Sequence, residues 1–283
     1  MNSLVIPSPA KINLFLKVVG KRPDGYHEII TLLCRIGLFD TVALAFNQST
    51  ISVECAHPRV PEDKSNLAHR AASLFLDALS IDDGVAIFID KVIPVAAGLG
   101  GGSSNAAAVL MGLNQHYGLP LADRELIGIA LKVGADVPFF LIRHSAIARG
   151  IGDHLEVYKD VPPLSVVLVR PTFEVSTSWV YKNLSLGLTN CEKSFKYHCF
   201  EEAFSKVNDL LCNDLEQVTI RKFPQIKIVK RALIDLGAET ALMSGSGPSV
   251  FGLFKDRHQA KKAFHSIRDR GEWDTFLVDV LRP

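Results

Sequence analysis

Residues 94–110 read PVAAGLGGGSSNAAAVL, with Gly98, Gly100, Gly101 and Gly102 packed into five positions and Ser103, Ser104 and Asn105 directly after them. Glycine has no β-carbon, reaches positive φ freely and lets an anion approach the backbone closely. The AAAVLMGLNQHY that follows is small, apolar and free of proline, so the glycines lead into the first turn of a helix. Amides in that turn have no partner inside the helix, and the aligned peptide dipoles add roughly half a positive charge there. Loop and helix start together make a cradle for phosphate.

Three phosphate loops compete for this stretch. A Walker A loop needs a lysine on the β and γ phosphates, and residues 94–105 contain none. A dinucleotide loop needs G-x-G-x-x-G and a later acidic residue at a strand end. Here Ser103 takes the third glycine's place, and the acidic candidate Asp123 opens a helix. A protein-kinase glycine loop comes with H-R-D and D-F-G motifs, and neither occurs. The bland alternative is a flexible strand-to-helix connection, against which the density of glycine and the Ser-Ser-Asn that follows both speak.

The elements that must carry this loop are a mixture. Strands are expected at 14–20, 40–46, 85–94 (Val85, Ile87 and Ile89 on one face) and 164–171, with a strand pair at 240–254 and a last strand near 276–283. Helical periodicity runs through 66–79, with Leu67, Ala71, Leu74, Phe75 and Ala78 on one stripe, and through 121–134, closed by Gly134. Ser103 is a candidate N-cap for the helix after the loop, with Ala106, Val109, Leu110 and Leu113 facing inward. Further helices are expected at roughly 199–218, 224–237 and 258–271. The order is not a strict alternation, which predicts an α+β fold in two lobes. A composition break near 155–163 divides them into 1–158 and 159–283. The stretch 185–199 carries no readable signal.

The 283 residues are 48% hydrophobic and 22% charged, with a net charge of +1. That composition is globular and offers no general attraction to nucleic acid or an anionic membrane, so neither is expected as a partner. The five cysteines contain no C-x-x-C pair, and free thiols in a reducing cytoplasm are expected. The N-terminal MNSLVIPSPAKINLFLKVVGK lacks a basic leader and has its apolar run broken by prolines, so no targeting peptide is expected. Oligomeric state is not readable.

P-x-x-x-G-L-G-G-G-S-S at 94–104 resembles the phosphate loop of the GHMP kinases, the family of galactokinase, homoserine kinase, mevalonate kinase and phosphomevalonate kinase. PSPAKINLFL at 7–16 and LMSGSGPSVFGLF at 242–254 resemble its other two motifs, so the likeness runs through nearly the whole chain in order. PAKINLFLKVVGKRPDGYHEI, GGGSSNAA and GADVPFFL resemble more narrowly the branch that works on a cytidine-diphosphate alcohol. The resemblance implies a two-lobed fold with the active site in the cleft between lobes. It implies ATP-dependent phosphorylation of the 2-hydroxyl of 4-diphosphocytidyl-2-C-methyl-D-erythritol, in the non-mevalonate route to isoprenoid precursors.

On that resemblance Asp136 is the base that takes or orients the attacking hydroxyl's proton, and Lys11 supplies fixed charge beside it. The bland readings are an aspartate capping the next segment and a lysine snorkelling from a strand edge. Pro94, Val95, Ala96, Ala97, Gly98, Leu99, Gly100, Gly101, Gly102, Ser103, Ser104 and Asn105 are expected around the triphosphate, with Asn66 and Leu67 near the adenine. His27 is expected to hold the cytosine edge, Tyr26 to stack on the ring and Tyr181 to cover its other face, although WVYKNL also reads as a core helix start. Asn13 and Gly245 are expected to reach the substrate. The Ser244–Gly247 run is expected to close over the transferred phosphate or the loop at 98–104, and equally reads as a hairpin turn.

Mg²⁺ is expected with ATP, held mainly by phosphates and water, and no protein metal site is named. The alternatives are a sister kinase acting on mevalonate or homoserine, a nucleotide-binding module without chemistry, and a dinucleotide oxidoreductase.

Overall fold

The computed structural model describes residues 3–185 and 211–282, and in them helices and strands mix without a strict repeat. The chain opens on two long paired strands, β1 (Ser3–Lys21) and β2 (His27–Gln48). The strands expected at 14–20 and 40–46 are the far ends of these. Pro7, Pro9, Lys11 and Asn13 break the apolar pattern of β1, yet β1 sits beside β2 and off the main strand path, where a missing N–H costs no ladder bond. Arg22 to Tyr26 makes the turn between them, with the Arg22 N–H donating to the Tyr26 carbonyl (2.7 Å) and Gly25 at φ +87°.

Contacts divide the chain into two compact units. The first holds Met1–Ala10, Leu38–Val95 and Gly100–Arg143; the second holds Lys11–Gly37, Ala96–Leu99 and His144–Pro283. The division expected at 158/159 keeps the first 158 residues together, whereas contacts group 11–37 and 96–99 with the C-terminal part. β1 and β2 are long enough to carry residues of both units, which no break in composition reveals.

In the first unit the Leu38–Gln48 end of β2 pairs antiparallel with β4 (Gly84–Asp90), and β3 (Ser52–Glu54) joins β4 in parallel. Val85, Ile87 and Ile89 are all buried, as their alternation requires. Helix α1 (Leu67–Ala78) starts from Asn66, whose Oδ1 accepts the Ala68 N–H (2.8 Å) while Nδ2 donates to the Pro61 carbonyl (2.6 Å). Its buried face is Ala68, Ala71, Ala72, Phe75 and Leu76, rotated from the expected stripe so that Ala78 is exposed. Helix α2 (Gly101–His116) is capped three residues before the expected Ser103. Gly100, at φ +70°, is the N-cap, and the Ser104 N–H already donates to its carbonyl. Tertiary contacts override the local preference of serine for the cap. Residues 104–110 are buried on every side, and the run of alanines lets α1, α3 (Asp123–Val133) and α4 (Val137–Ile142) pack close.

In the second unit the His27 end of β2 pairs with β5 (Ala146–Gly150), which pairs with β6 (His154–Val157). A second, antiparallel sheet runs β10–β7–β9–β8, from β7 (Ser165–Arg170), β8 (Thr240–Met243), β9 (Val250–Phe254) and β10 (Asp274–Asp279). The helices are α5 (Thr177–Lys182), α6 (Glu216–Lys222), α7 (Gln225–Asp235) and α8 (Arg257–Arg268). Val167, Val169, Val229, Leu233, Val250, Phe254 and Ile267 share one core. Of the helix expected at 199–218, residues 199–210 lie outside the described residues, as does almost all of 185–199.

Cys34 and Cys55 are free and buried, and burial pushes the Cys34 thiol up to about 12 despite a hydrogen bond with Ser145. Cys212 is disulfide-bonded, so the expectation of free thiols throughout does not hold; spacing alone does not reveal pairing. Among the described residues no helix is long and apolar enough to cross a membrane.

Asn66→Ala removes the α1 cap and the tie to Pro61. Urea unfolding is expected to show a loss of about 1 kcal/mol or more.

Candidate functional site

The glycine loop leaves β4 through Lys91, Val92 and Ile93, and one buried carboxylate holds that exit. Asp40 is fully buried, and its Oδ1 accepts the Val92 and Ile93 N–H groups, both at 2.8 Å. Its Oδ2 accepts the Lys91 ammonium and the Asn105 amide (2.9 Å). The Asn105 amide also donates to Ser8 Oγ (2.9 Å), and Ser8 Oγ donates to Ser104 Oγ (2.8 Å). The strand exit and the N-terminal part of α2 are thus tied to the same group. Asp40 and Lys91 were not among the expected site residues; their one signal is a charged residue set in an apolar stretch.

Between these ties the backbone enters the left-handed region three times, at Ala96 (φ +55°), Gly98 (φ +76°) and Gly100 (φ +70°). Ala97 and Leu99 are buried, Pro94, Val95, Gly100, Gly101 and Ser103 are half-buried, and Gly102 is exposed. The side chains of Ser104 and Asn105 point into the protein, which leaves backbone amides at the start of α2 as the groups suited to an anion. Leu67 lies beside that start, its Cδ1 at 3.7 Å from where a β-carbon on Gly102 would stand.

Lys11, Asn13, Gly98 and Gly245 come together in the second unit. Lys11 is 5% exposed, which rules out a lysine snorkelling from a strand edge. Its ammonium donates to Asn13 Oδ1 (2.7 Å), and Asn13 Nδ2 donates to Thr31 Oγ1 (2.9 Å). The Lys11 N–H donates to the Leu99 carbonyl (2.9 Å), and Ser244 Oγ donates to the Gly98 carbonyl (2.9 Å). The Ser244–Ser249 run is a hairpin connection from β8 to β9 and also lies against Gly98, so the two readings of it are one structure. A β-carbon on Gly98 would stand 2.3 Å from the Ser244 carbonyl oxygen.

Asp136, in the first unit, is half-buried and precedes α4 at its N-cap position. Its side chain makes no cap hydrogen bond, so capping is not its use here. In the second unit His27 opens β2, and its ring stacks on Tyr181 of α5 at 5.1 Å between centroids. Tyr181 thus covers one face of the His27 ring. Tyr181 packs against the core cluster, as the helix-start reading of WVYKNL has it, and Tyr26 is largely exposed. Burial first, and then the Lys21 charge, hold the His27 imidazole below its ordinary value of 6.5.

Residues 66–144 match the GHMP kinases N terminal domain and residues 192–272 match the GHMP kinases C terminal domain. The chain belongs to the GHMP kinase family. Its similar relatives are named 4-diphosphocytidyl-2-C-methyl-D-erythritol kinase: one from Syntrophotalea carbinolica is 47% identical, covering 97% of this chain and 98% of that protein. Another, from Pelobacter propionicus, is 46% identical, covering 99% and 100%. Among solved structures, a 4-(cytidine 5'-diphospho)-2C-methyl-D-erythritol kinase superposes with a TM-score of 0.85 at 35% identity, over 98% of this chain and 99% of that one. A homoserine kinase from Cytophaga hutchinsonii shares the fold, with a TM-score of 0.73 at 21% identity over 100% and 95% of the two chains.

Gly98→Ala places a β-carbon against a carbonyl in a left-handed backbone and is expected to destabilise the protein by more than about 1 kcal/mol. Gly102→Ala, inside α2 with its nearest neighbour at 3.7 Å, is expected to leave stability equal or raised in the same urea titration.

The depressed His27 value means that the folded chain binds this proton less tightly than the unfolded one. Its contribution to stability is intact above pH 6.5 and is lost as the pH falls below it. Lys21→Met is expected to move the His27 titration part of the way back to 6.5, because burial is the larger cause and remains. Imidazole proton shifts in an NMR pH series check this.

Proposed function

We propose that this protein phosphorylates the 2-hydroxyl of 4-diphosphocytidyl-2-C-methyl-D-erythritol with ATP, giving the 2-phosphate and ADP. The observation that carries the reading is near-full-length likeness, at 47% identity over 97% of the chain, to proteins of that one named activity. The residues support it. Amides at the start of α2 and in the loop before it suit the anionic tail of a nucleoside triphosphate. Asn66 and Leu67, next to that helix start, are the residues proposed for the adenine. A buried ammonium at Lys11 offsets charge that develops between donor and acceptor oxygens, where low dielectric makes it count for more than in water.

In the proposed mechanism the transfer is direct and in line. Asp136 orients the acceptor hydroxyl and takes its proton; an ordinary carboxylate suffices, because phosphoryl transfer rests on positioning and charge stabilisation. Asn13 and Gly245 border Lys11 and are proposed to touch the substrate. His27, held neutral by its surroundings, offers both a donor and an acceptor to the edge of a cytosine, with Tyr26 and Tyr181 as the aromatic surfaces. Magnesium arrives with the nucleotide, held by phosphate oxygens and water. No cluster of three or more His, Cys, Asp and Glu that could hold a metal stands among the described residues. The proposed location is the cytoplasm, where small phosphorylated intermediates are made, and the proposed partners are ATP and the cytidine-diphosphate substrate.

ADP release is measured with 4-diphosphocytidyl-2-C-methyl-D-erythritol, mevalonate and homoserine in parallel. Turnover with the first and not the others is expected; turnover with mevalonate or homoserine makes this a sister kinase, and silence with all of them favours binding without chemistry. Asp136→Asn is expected to lower kcat by about a hundredfold or more while ATP still binds, as read by calorimetry. Near-native turnover of that variant would remove Asp136 from the mechanism.

A further inference from the structure

We infer that Asn213 is a positioning residue for phosphoryl transfer, holding the 244–249 loop in place against Lys11. The inference rests on the kinase reading above and adds to it a residue outside all three sequence motifs.

The loop from Ser244 to Ser249 is buried throughout, with Gly245 at φ +55° and Gly247 at φ +86°. A buried loop has no water to satisfy its peptide groups, so the protein must supply partners. One amide does much of this. Asn213, 7% exposed, donates from Nδ2 to the Met243 carbonyl (2.8 Å) and to the Gly245 carbonyl (2.7 Å). Its Oδ1 accepts the Leu215 N–H (3.0 Å) ahead of α6. Two donors and an acceptor on one short planar group are what a carboxamide offers, and no other side chain of that size does.

The neighbours of Asn213 complete a brace. Glu216, ion-paired with Lys230, accepts the Met243 N–H at Oε2 (2.9 Å), and Thr219 Oγ1 donates to the Ser246 carbonyl (3.1 Å). On the other side Asp214 Oδ2 accepts the Val18 N–H (2.8 Å), the Asp214 N–H donates to the Leu16 carbonyl (3.0 Å) and the Leu16 N–H donates to the Cys212 carbonyl (2.8 Å). One segment, 212–219, therefore grips both β1, which carries Lys11 and Asn13, and the loop. The consequence is the placement of Gly245: a β-carbon there would stand 3.3 Å from Asn13 Oδ1 and 3.6 Å from Lys11 Nζ. A trans peptide keeps its C=O and N–H on opposite edges. Pinning the Gly245 carbonyl to Asn213 therefore also fixes the direction of the Ser246 N–H.

Asn213→Asp keeps shape and the acceptor toward Leu215 but turns a doubly donating nitrogen into an oxygen facing two carbonyls. In the full-length protein kcat is expected to fall about a hundredfold, the loss a displacement of roughly 1 Å produces. KM for ATP is expected to stay within about threefold, and KM for the cytidine substrate, which Gly245 is proposed to touch, is expected to rise by less than kcat falls. Amide hydrogen exchange at 244–249, followed without substrate, is expected to speed up. Asn213→Ser, which retains one donor, is the second variant should the aspartate not fold, with a kcat loss of about tenfold expected.

A folded variant with wild-type kcat overturns the inference, as does unchanged exchange at 244–249. A loss confined to KM, with kcat intact, overturns it too. Wild-type protein silent toward the cytidine substrate refutes the proposed activity, and the brace is then judged on exchange.

Discussion

At Gly98 the backbone lies so close to the Ser244 carbonyl that no β-carbon fits, and the geometry of the second unit's polar cluster follows from that approach. Ser244 donates its hydroxyl to the Gly98 carbonyl, and Lys11 donates its N–H to Leu99 one residue on. The short insert Ala96–Leu99 is thereby held by β1 and by the β8–β9 connection together. With any larger residue at 98 the connection would have to withdraw, and Gly245 would leave Asn13 and the Lys11 ammonium. Backbone proximity, more than side-chain packing, sets the distances in this cluster.

The first unit rests on a different kind of constraint. A fully buried carboxylate is costly unless its oxygens are satisfied and its charge is met. Asp40 meets both conditions with two backbone amides, the Lys91 ammonium and the Asn105 amide. Each partner is also a part of the loop's support: Val92 and Ile93 lead into the glycines, and Asn105 opens the second turn of α2. Removing any one leaves the others holding an under-satisfied charge, so the ends of the loop are coupled to each other. The same low dielectric that makes the pair costly makes its geometry stiff.

Much of this was legible before any coordinates. The loop, its helix, the alternation of β4, the strand pair at 240–254 and the polar residues Lys11, Asn13 and His27 all stand out in a linear reading. The elements misjudged locally were those decided by distant contacts. The start of α2 moved from Ser103 to Gly100 because Ser104 binds Ser8 across the unit and because glycine alone takes φ +70° without strain. The prolines that hid the first half of β1 are harmless beside a partnered strand, and nothing near them in sequence says that the partner exists. Asn213, Glu216 and Thr219 were invisible for the same reason, their partners lying between 27 and 32 residues away.

By itself the sequence determined the family, the glycine loop that leads into a helix and the residue types on offer for chemistry, since these depend on residue type and short spacing. Which polar groups are spent on the protein and which face outward was decided by tertiary structure. Asn105 and Ser104 turned inward, Lys11 was buried, and Tyr181 settled on His27. The physical reason is that a buried hydrogen bond is satisfied by whatever the fold brings within about 3 Å, and that neighbour is fixed by strand register and helix packing, not by position along the chain.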